Sequence, residues 1–206
     1  MDNPVKKEQA IDQVTILFCG DSGDGMQLTG AQLTNTSAVY GNDVSTLPDY
    51  PSEIRAPAGS LAGVSTFQLQ FANHEIHTPG DRPDVLVAMN PASFRVNLSK
   101  LQTQGTLIVD QDAFSEKGLA RAGYQQNPLH DPGLRSRYHV HVVPASTLTL
   151  KALEGLDLKR TAKIRCKNFF ALGLVCWLYD RPLEPVLDWI EKKFGRNEDV
   201  AEGNRR

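Results

Sequence analysis

The chain has 206 residues, 40% of them apolar and 22% charged, with a formal net charge of −2 from 22 basic and 24 acidic side chains. That length builds one ordinary domain with a real hydrophobic core, and the composition favours neither a disordered nor a membrane-embedded chain. The near balance of charge gives no general attraction to nucleic acid or to an anionic membrane.

Residues 1–12 are a polar lead-in without the apolar stretch of a signal peptide, so the cytoplasm is the expected location. Val14 to Cys19 is a short apolar, β-rich run, as in a strand buried on both faces. The glycine-rich Gly20-Asp-Ser-Gly-Asp-Gly-Met26 follows, and Met26 to Tyr40 reads as a helix. A strand, a glycine turn and a helix N-terminus can present N–H groups to an anion. The spacing is not G-x-G-x-x-G, however, and Asp21 and Asp24 would oppose a pyrophosphate. In the structural alternative these acids cap the helix.

From Gly41 to Gly63 three prolines resist any regular assignment, and a second glycine-rich stretch runs from Pro51 to Gly63. It is small and nearly uncharged, so it permits close approach of a backbone or flat ligand. Arg55 could anchor a carboxylate or phosphate, or simply pair with Glu53 or Asp49. Val64 to Phe71 alternates Phe67, Leu69 and Phe71 with Thr66, Gln68 and Gln70, which predicts a half-buried strand at or near a sheet edge. Asp84 to Met89 is a second buried strand. Asn90-Pro91 then supplies an N-cap and a proline at the first helical position, for a helix to about Leu101. Thr106 to Asp110 and Tyr138 to Val143 are further strands, and helices are predicted over 146–153, 166–179 and 183–194.

Strands alternating with helices predict a single α/β domain, Rossmann-like, with a mostly parallel sheet flanked by helices. It is expected over 13–195, followed at 196–206 by a charged tail or the start of a linker to a further domain. The longest uncharged apolar run, Asn168 to Tyr179, is too short to span a bilayer.

Lys159, Arg160, Lys163, Arg165 and Lys167 place five cations just before the helix that opens near Cys166. Positive charge at a helix N-terminus is unfavourable, so an anionic partner, or an exposed basic linker, would account for them. His139 and His141 share one face of a strand but have no third metal ligand in view. Cys166 and Cys176 are about 15 Å apart along one helix at 1.5 Å per residue, too far for a disulfide. With no C-x-x-C spacing, the three cysteines read as reduced structural thiols that bind neither an iron–sulfur cluster nor zinc. No complete catalytic set accompanies the glycine loops.

Five ordered segments carry a family resemblance: Gly-Asp-Ser-Gly-Asp-Gly (20–25), Tyr-Pro-Ser-Glu-Ile-Arg-Ala-Pro-Ala-Gly-Ser-Leu-Ala-Gly-Val-Ser (50–65), Thr-Pro-Gly-Asp (78–81), Asp-Val-Leu-Val-Ala-Met-Asn-Pro-Ala (84–92) and Arg-Cys-Lys-Asn-Phe-Phe-Ala-Leu-Gly-Leu (165–174). Together they resemble the γ module of the 2-oxoacid:ferredoxin (acceptor) oxidoreductases, in the version fused at the N-terminus of a longer α-subunit of 2-oxoglutarate type. Thr66 departs from the glycine expected after Val-Ser.

The resemblance implies oxidative decarboxylation of a 2-oxoacid to an acyl-CoA, with ferredoxin as electron acceptor. Thiamine diphosphate, magnesium and the iron–sulfur cluster would belong to a β-subunit and to the remaining α-subunit domains. This module would contribute assembly contacts and part of the coenzyme A site. Gly23, Asp24, Gly25, Arg55, Ser60 and Asn90 are the residues expected at that site, with Lys163, Arg165 and Lys167 offered to its phosphates. None is expected to act as acid, base or nucleophile. Because fused family members run on past the equivalent of Arg206, the chain would be a fragment, an excised domain or a split subunit. The rival function is a stand-alone nucleotide or acyl-CoA binding protein.

Overall fold

The computed structural model describes residues 9–50 and 63–206. The chain runs β1 (Gln13–Asp21), α1 (Met26–Val39), β2 (Asp43–Asp49), β3 (Val64–Ala72), β4 (Val85–Ala88), α2 (Pro91–Asn97), β5 (Thr106–Asp110), α3 (Glu116–Arg121), α4 (Pro132–Arg137), β6 (His139–Val143), α5 (Ala145–Ala152), α6 (Arg160–Arg165), α7 (Lys167–Leu178), α8 (Glu184–Phe194) and α9 (Glu198–Arg205). The six strands form one sheet in the order β2-β3-β1-β4-β5-β6. Pairing is parallel from β1 through β4 and β5 to β6, and antiparallel where β3 meets β1 and β2. Only β3 runs against the rest, so the expected α/β fold with a mostly parallel sheet is present.

β1 and β4 are buried on both faces, which explains why their sequences read as continuous apolar runs. One face carries Ile16, Phe18, Leu69, Phe71 and Val87 against Leu33 of α1, Phe169 and Leu172 of α7 and Ile190 of α8. The other carries Leu17, Leu86, Leu107 and Val109 against Phe94 of α2 and Leu134 of α4. Each of the large side chains in these layers contributes about 1.5–3 kcal/mol by leaving water. Among the described residues no helix is long and apolar enough to cross a membrane.

Three expectations need correction. The segment after Gly41 contains a strand, β2, on the sheet edge, where exposed Pro48 and acidic ends disguise it. β3 does lie next to the sheet edge, beside β2, but it is buried on both faces rather than half-buried. Its polar face is buried because the chain at Pro79-Gly80 covers it, and the Gln68 amide donates to both of those carbonyls at 2.8 Å. The charged segment after 195 folds as α9, with Asn197 capping it through Val200 N–H at 3.1 Å and Ala201 buried.

A groove of about 1020 Å³ opens between the first residues of β1, β4 and β5 and the last turn of α7. It lies at the opposite rim of the sheet from the Gly20–Met26 loop.

Gly30 of α1 packs so closely on the Phe67 ring that a Cβ there would overlap ring carbons. Alanine in an exposed helix would be favourable by about 1 kcal/mol, but here overpacking wins. Gly30→Ala is expected to lower stability by about 1–3 kcal/mol in urea unfolding; an unchanged or raised midpoint would contradict this packing. Burial pushes the Cys19 thiol up to about 12 and the Cys176 thiol to about 11, and raises Cys166 as well. The native chain should therefore react very slowly with a thiol reagent at pH 8, and all three cysteines rapidly once unfolded. Fast native labelling of more than one thiol would refute the burial.

Candidate functional site

Where β1 ends, the chain turns onto one face of the sheet as α1. Where the adjacent β4 ends, it turns onto the other face as α2. This divergence opens a crevice outside the carboxyl ends of two neighbouring parallel strands, the place where open α/β sheets bind ligands. The feet of the second glycine-rich stretch reach the same rim, since β2 ends and β3 begins there. Ser22 N–H donates to Gly63 O at 3.2 Å. The Gln27 amide donates to Asp49 O at 3.1 Å, Ser65 Oγ at 3.0 Å and Thr66 O at 2.9 Å. The stretch itself, with Arg55 and Ser60, lies outside the described residues.

Asn90 stitches the crevice together. Its Oδ1 accepts from Ser93 N–H at 2.8 Å, capping α2 as expected, with Pro91 in the first turn. Its Nδ2 donates to Asp21 Oδ1 at 2.9 Å and to Asp24 Oδ2 at 3.3 Å. Asp24 Oδ2 also accepts from Asp21 N–H at 3.0 Å. Burial, and then the neighbouring Asp24 charge, raise the Asp21 carboxyl above its ordinary value, opposed by Asn90, Lys167 and Arg121.

The acids therefore do not cap α1. Its N-cap is Gly25, with φ 78°, no side-chain cap and no acid in the first turn. Gly25 also has no room for a side chain, because a Cβ would lie 2.5 Å from Asn168 Nδ2. Gly23, at φ 113°, likewise holds a left-handed conformation in the loop.

The basic cluster separates into three roles. Lys163 Nζ donates to Leu153 O at 2.9 Å and so serves the end of α5. Lys167 Nζ lies 3.2 Å from Asp110 Oδ2 in a buried ion pair, and Asp110 also accepts from Ser146 Oγ at 2.9 Å. Arg165 is exposed. The predicted electrostatic penalty at a helix start is absent for Lys163 and Arg165, because both occupy the last turn of α6, where cations are favourable.

Residue patterns missed Asn168, Gln27 and Asp110. Asn168 is buried; its Oδ1 accepts from Phe169 N–H at 2.9 Å and its backbone O accepts from Thr29 Oγ1 at 3.4 Å. No spacing rule points to these three; only the folded contacts do. Among the described residues no group of three or more His, Cys, Asp or Glu could hold a metal ion.

A model of the pyruvate ferredoxin/flavodoxin oxidoreductase family matches residues 15–206. The chain is 50% identical over 196 residues to the 2-oxoglutarate oxidoreductase subunit KorA of Mycobacterium tuberculosis, covering 95% of this chain and 30% of that subunit. It thus spans less than a third of the length of the curated relative it matches. Among solved structures, it resembles the 2-oxoglutarate:ferredoxin oxidoreductase from Magnetococcus marinus, which was solved with 2-oxoglutarate, coenzyme A and succinyl-CoA bound. That match has a TM-score of 0.71 at 21% identity, over 95% of this chain and 30% of that one. The gamma subunit of a keto/oxoacid ferredoxin oxidoreductase from Geobacter sulfurreducens matches with a TM-score of 0.60 at 17% identity, over 93% and 94% of the two chains. At these identities the solved structures speak to the fold. The match across nearly the whole length and the half-identical relative establish the larger point: the chain belongs to the pyruvate ferredoxin/flavodoxin oxidoreductase family.

Proposed function

We propose that this chain is the γ-type module of a 2-oxoacid:ferredoxin oxidoreductase, with 2-oxoglutarate as the 2-oxoacid and an acyl-CoA as product. The observation that carries this reading is the 50% identity to a 2-oxoglutarate oxidoreductase subunit. The ligands bound in the Magnetococcus enzyme support the same substrate and product. Within the complex, the module supplies assembly contacts and part of the coenzyme A site.

Thiamine diphosphate, magnesium and the iron–sulfur cluster belong in this reading to the β-subunit and the remaining α-subunit domains, with ferredoxin as acceptor, in the cytoplasm. The module's own thiols, buried and held protonated, suit no cluster-ligand role. Gly23, Asp24, Gly25 and Asn90 form the crevice side of the coenzyme A site, while Arg55 and Ser60 extend it from the second stretch. Of the three cations offered to the phosphates, Arg165 is the exposed one and so the one suited to such a contact. Lys163 and Lys167 are engaged within the protein and act by holding the helices in place.

Purified gently from its native cell, the tagged chain is expected to bring down a complex that reduces a viologen dye with 2-oxoglutarate and coenzyme A, faster than with pyruvate. A lone inactive species would overturn the reading. Arg165→Ala should leave the unfolding midpoint within about 0.5 kcal/mol of the parent. It should weaken coenzyme A binding several-fold, with the difference shrinking as salt rises. Lys167→Ala should instead cost about 3–5 kcal/mol, since it leaves Asp110 buried and unpaired. Equal stability losses in the two variants would refute this division of labour.

A further inference from the structure

We infer that the groove at the amino ends of β1, β4 and β5 seats a segment of another polypeptide of the oxidoreductase complex, apolar and carrying a lysine or arginine. The inference deepens the assembly role proposed above and rests on it for the source of that segment. The groove reaches across neighbouring strands from β1 to β6, roughly 14 Å at about 4.8 Å per strand, which is too wide for one side chain. Apolar side chains line it and stand open to water. Ile11 is 45% exposed, Trp177 59% and Leu178 38%, with Val143 and Leu174 beside them. Contiguous apolar surface rimmed by polar residues marks an interaction site.

The charge of the groove selects its occupant. Asp84 accepts only from neutral donors, Thr15 N–H at 2.7 Å and the Gln102 amide. Asp180 is exposed, and among the described residues neither acid forms an ion pair. α7 ends at the same place with no basic residue in its last turn, and a helix C-terminus carries about half a negative charge. Arg181 also lines the groove but is committed inward. Its guanidinium lies 4.5 Å from both the Tyr40 and the Phe71 ring centroids, and Nη1 donates to Asn42 Oδ1 at 2.6 Å. Two carboxylates and a helix end thus face the groove without a counter-cation.

Folding alone would favour glycine at position 180. Asp180 follows the end of α7 at φ 51°, where Arg181 N–H closes the helix on Cys176 O at 2.8 Å. Glycine takes that conformation without strain, and the Asp180 carboxylate also opposes the helix dipole. A cation brought by a partner turns both costs into attraction, while the apolar wall receives the stem of that side chain and its apolar neighbour.

The test uses the tagged chain in the complex purified from its native cell, with Leu178→benzoylphenylalanine as a photo-cross-linker. Mass spectrometry is expected to find it joined to a partner peptide in which a lysine or arginine adjoins an apolar residue. Asp180→Gly should leave the unfolding midpoint of the chain unchanged or raised, yet cut the yield of assembled complex about tenfold, the gap to the parent closing as salt rises. The inference falls if the cross-linker joins this chain's own residues, a second copy of it, or a segment without a cation. It falls equally if Asp180→Gly assembles as well as the parent or lowers the midpoint. A complex that reduces the viologen dye with 2-oxoglutarate but yields no cross-link would overturn the docking groove and leave the proposed function standing. The expected cross-link in a complex without that activity would do the reverse.

Discussion

Strand β1 must satisfy two unlike neighbours, antiparallel β3 on one side and parallel β4 on the other. The parallel neighbour cannot be reached by a tight turn, so the chain leaves β1 as a helix and returns only after two more strands. β4 then departs on the opposite face. Everything at the crevice follows from that parting: two loop starts lie side by side, and their polar backbone ends need partners. The Asn90 carboxamide supplies several at once, capping α2 with its oxygen and holding both loop carboxylates with its nitrogen.

The pattern of apolar runs made most of this architecture legible. β1, β4 and β5 sit in the buried middle of the sheet, where nearly every side chain must be apolar, and the Asn90-Pro91 cap is a local signal that no tertiary contact overrides. What the pattern hid is equally physical. Alternation in β3 looked like a solvent face because glutamines are polar. Their amides, however, find backbone carbonyls when a neighbouring segment covers them, and a satisfied Gln68 is as buried as a leucine. β2 was hidden by the composition an edge strand tolerates. The glycine loop was recognisable as a turn into a helix, but which group capped that helix depended on where two aspartates pointed. The family resemblance was legible from the five segments, whereas Asn168 became visible only through its place beside Gly25.

The five cations between 159 and 167 looked alike in the sequence, yet the fold separates them by depth. One closes the end of a helix, one neutralises a buried aspartate, and three, Lys159, Arg160 and Arg165, are left at the surface. Counting charge along a chain therefore overstates what a ligand can meet. A buried pair such as Lys167–Asp110 adds nothing to the field a cofactor feels at long range, because its two charges cancel and both are spent on the interior.

The position of Asp21 has an energetic meaning of its own. Its carboxyl binds a proton more tightly in the folded chain than in the unfolded one. Whatever stability it lends is complete below the unfolded value and is lost as pH rises through the folded one. Near neutrality the ionised group is thus a burden on the fold, lightened but not removed by Asn90. A side chain that weakens the native state at working pH is a poor structural choice for a turn, where an asparagine would close the same bonds without the charge. The loop trades conformational stability for a fixed negative field at the mouth of the crevice.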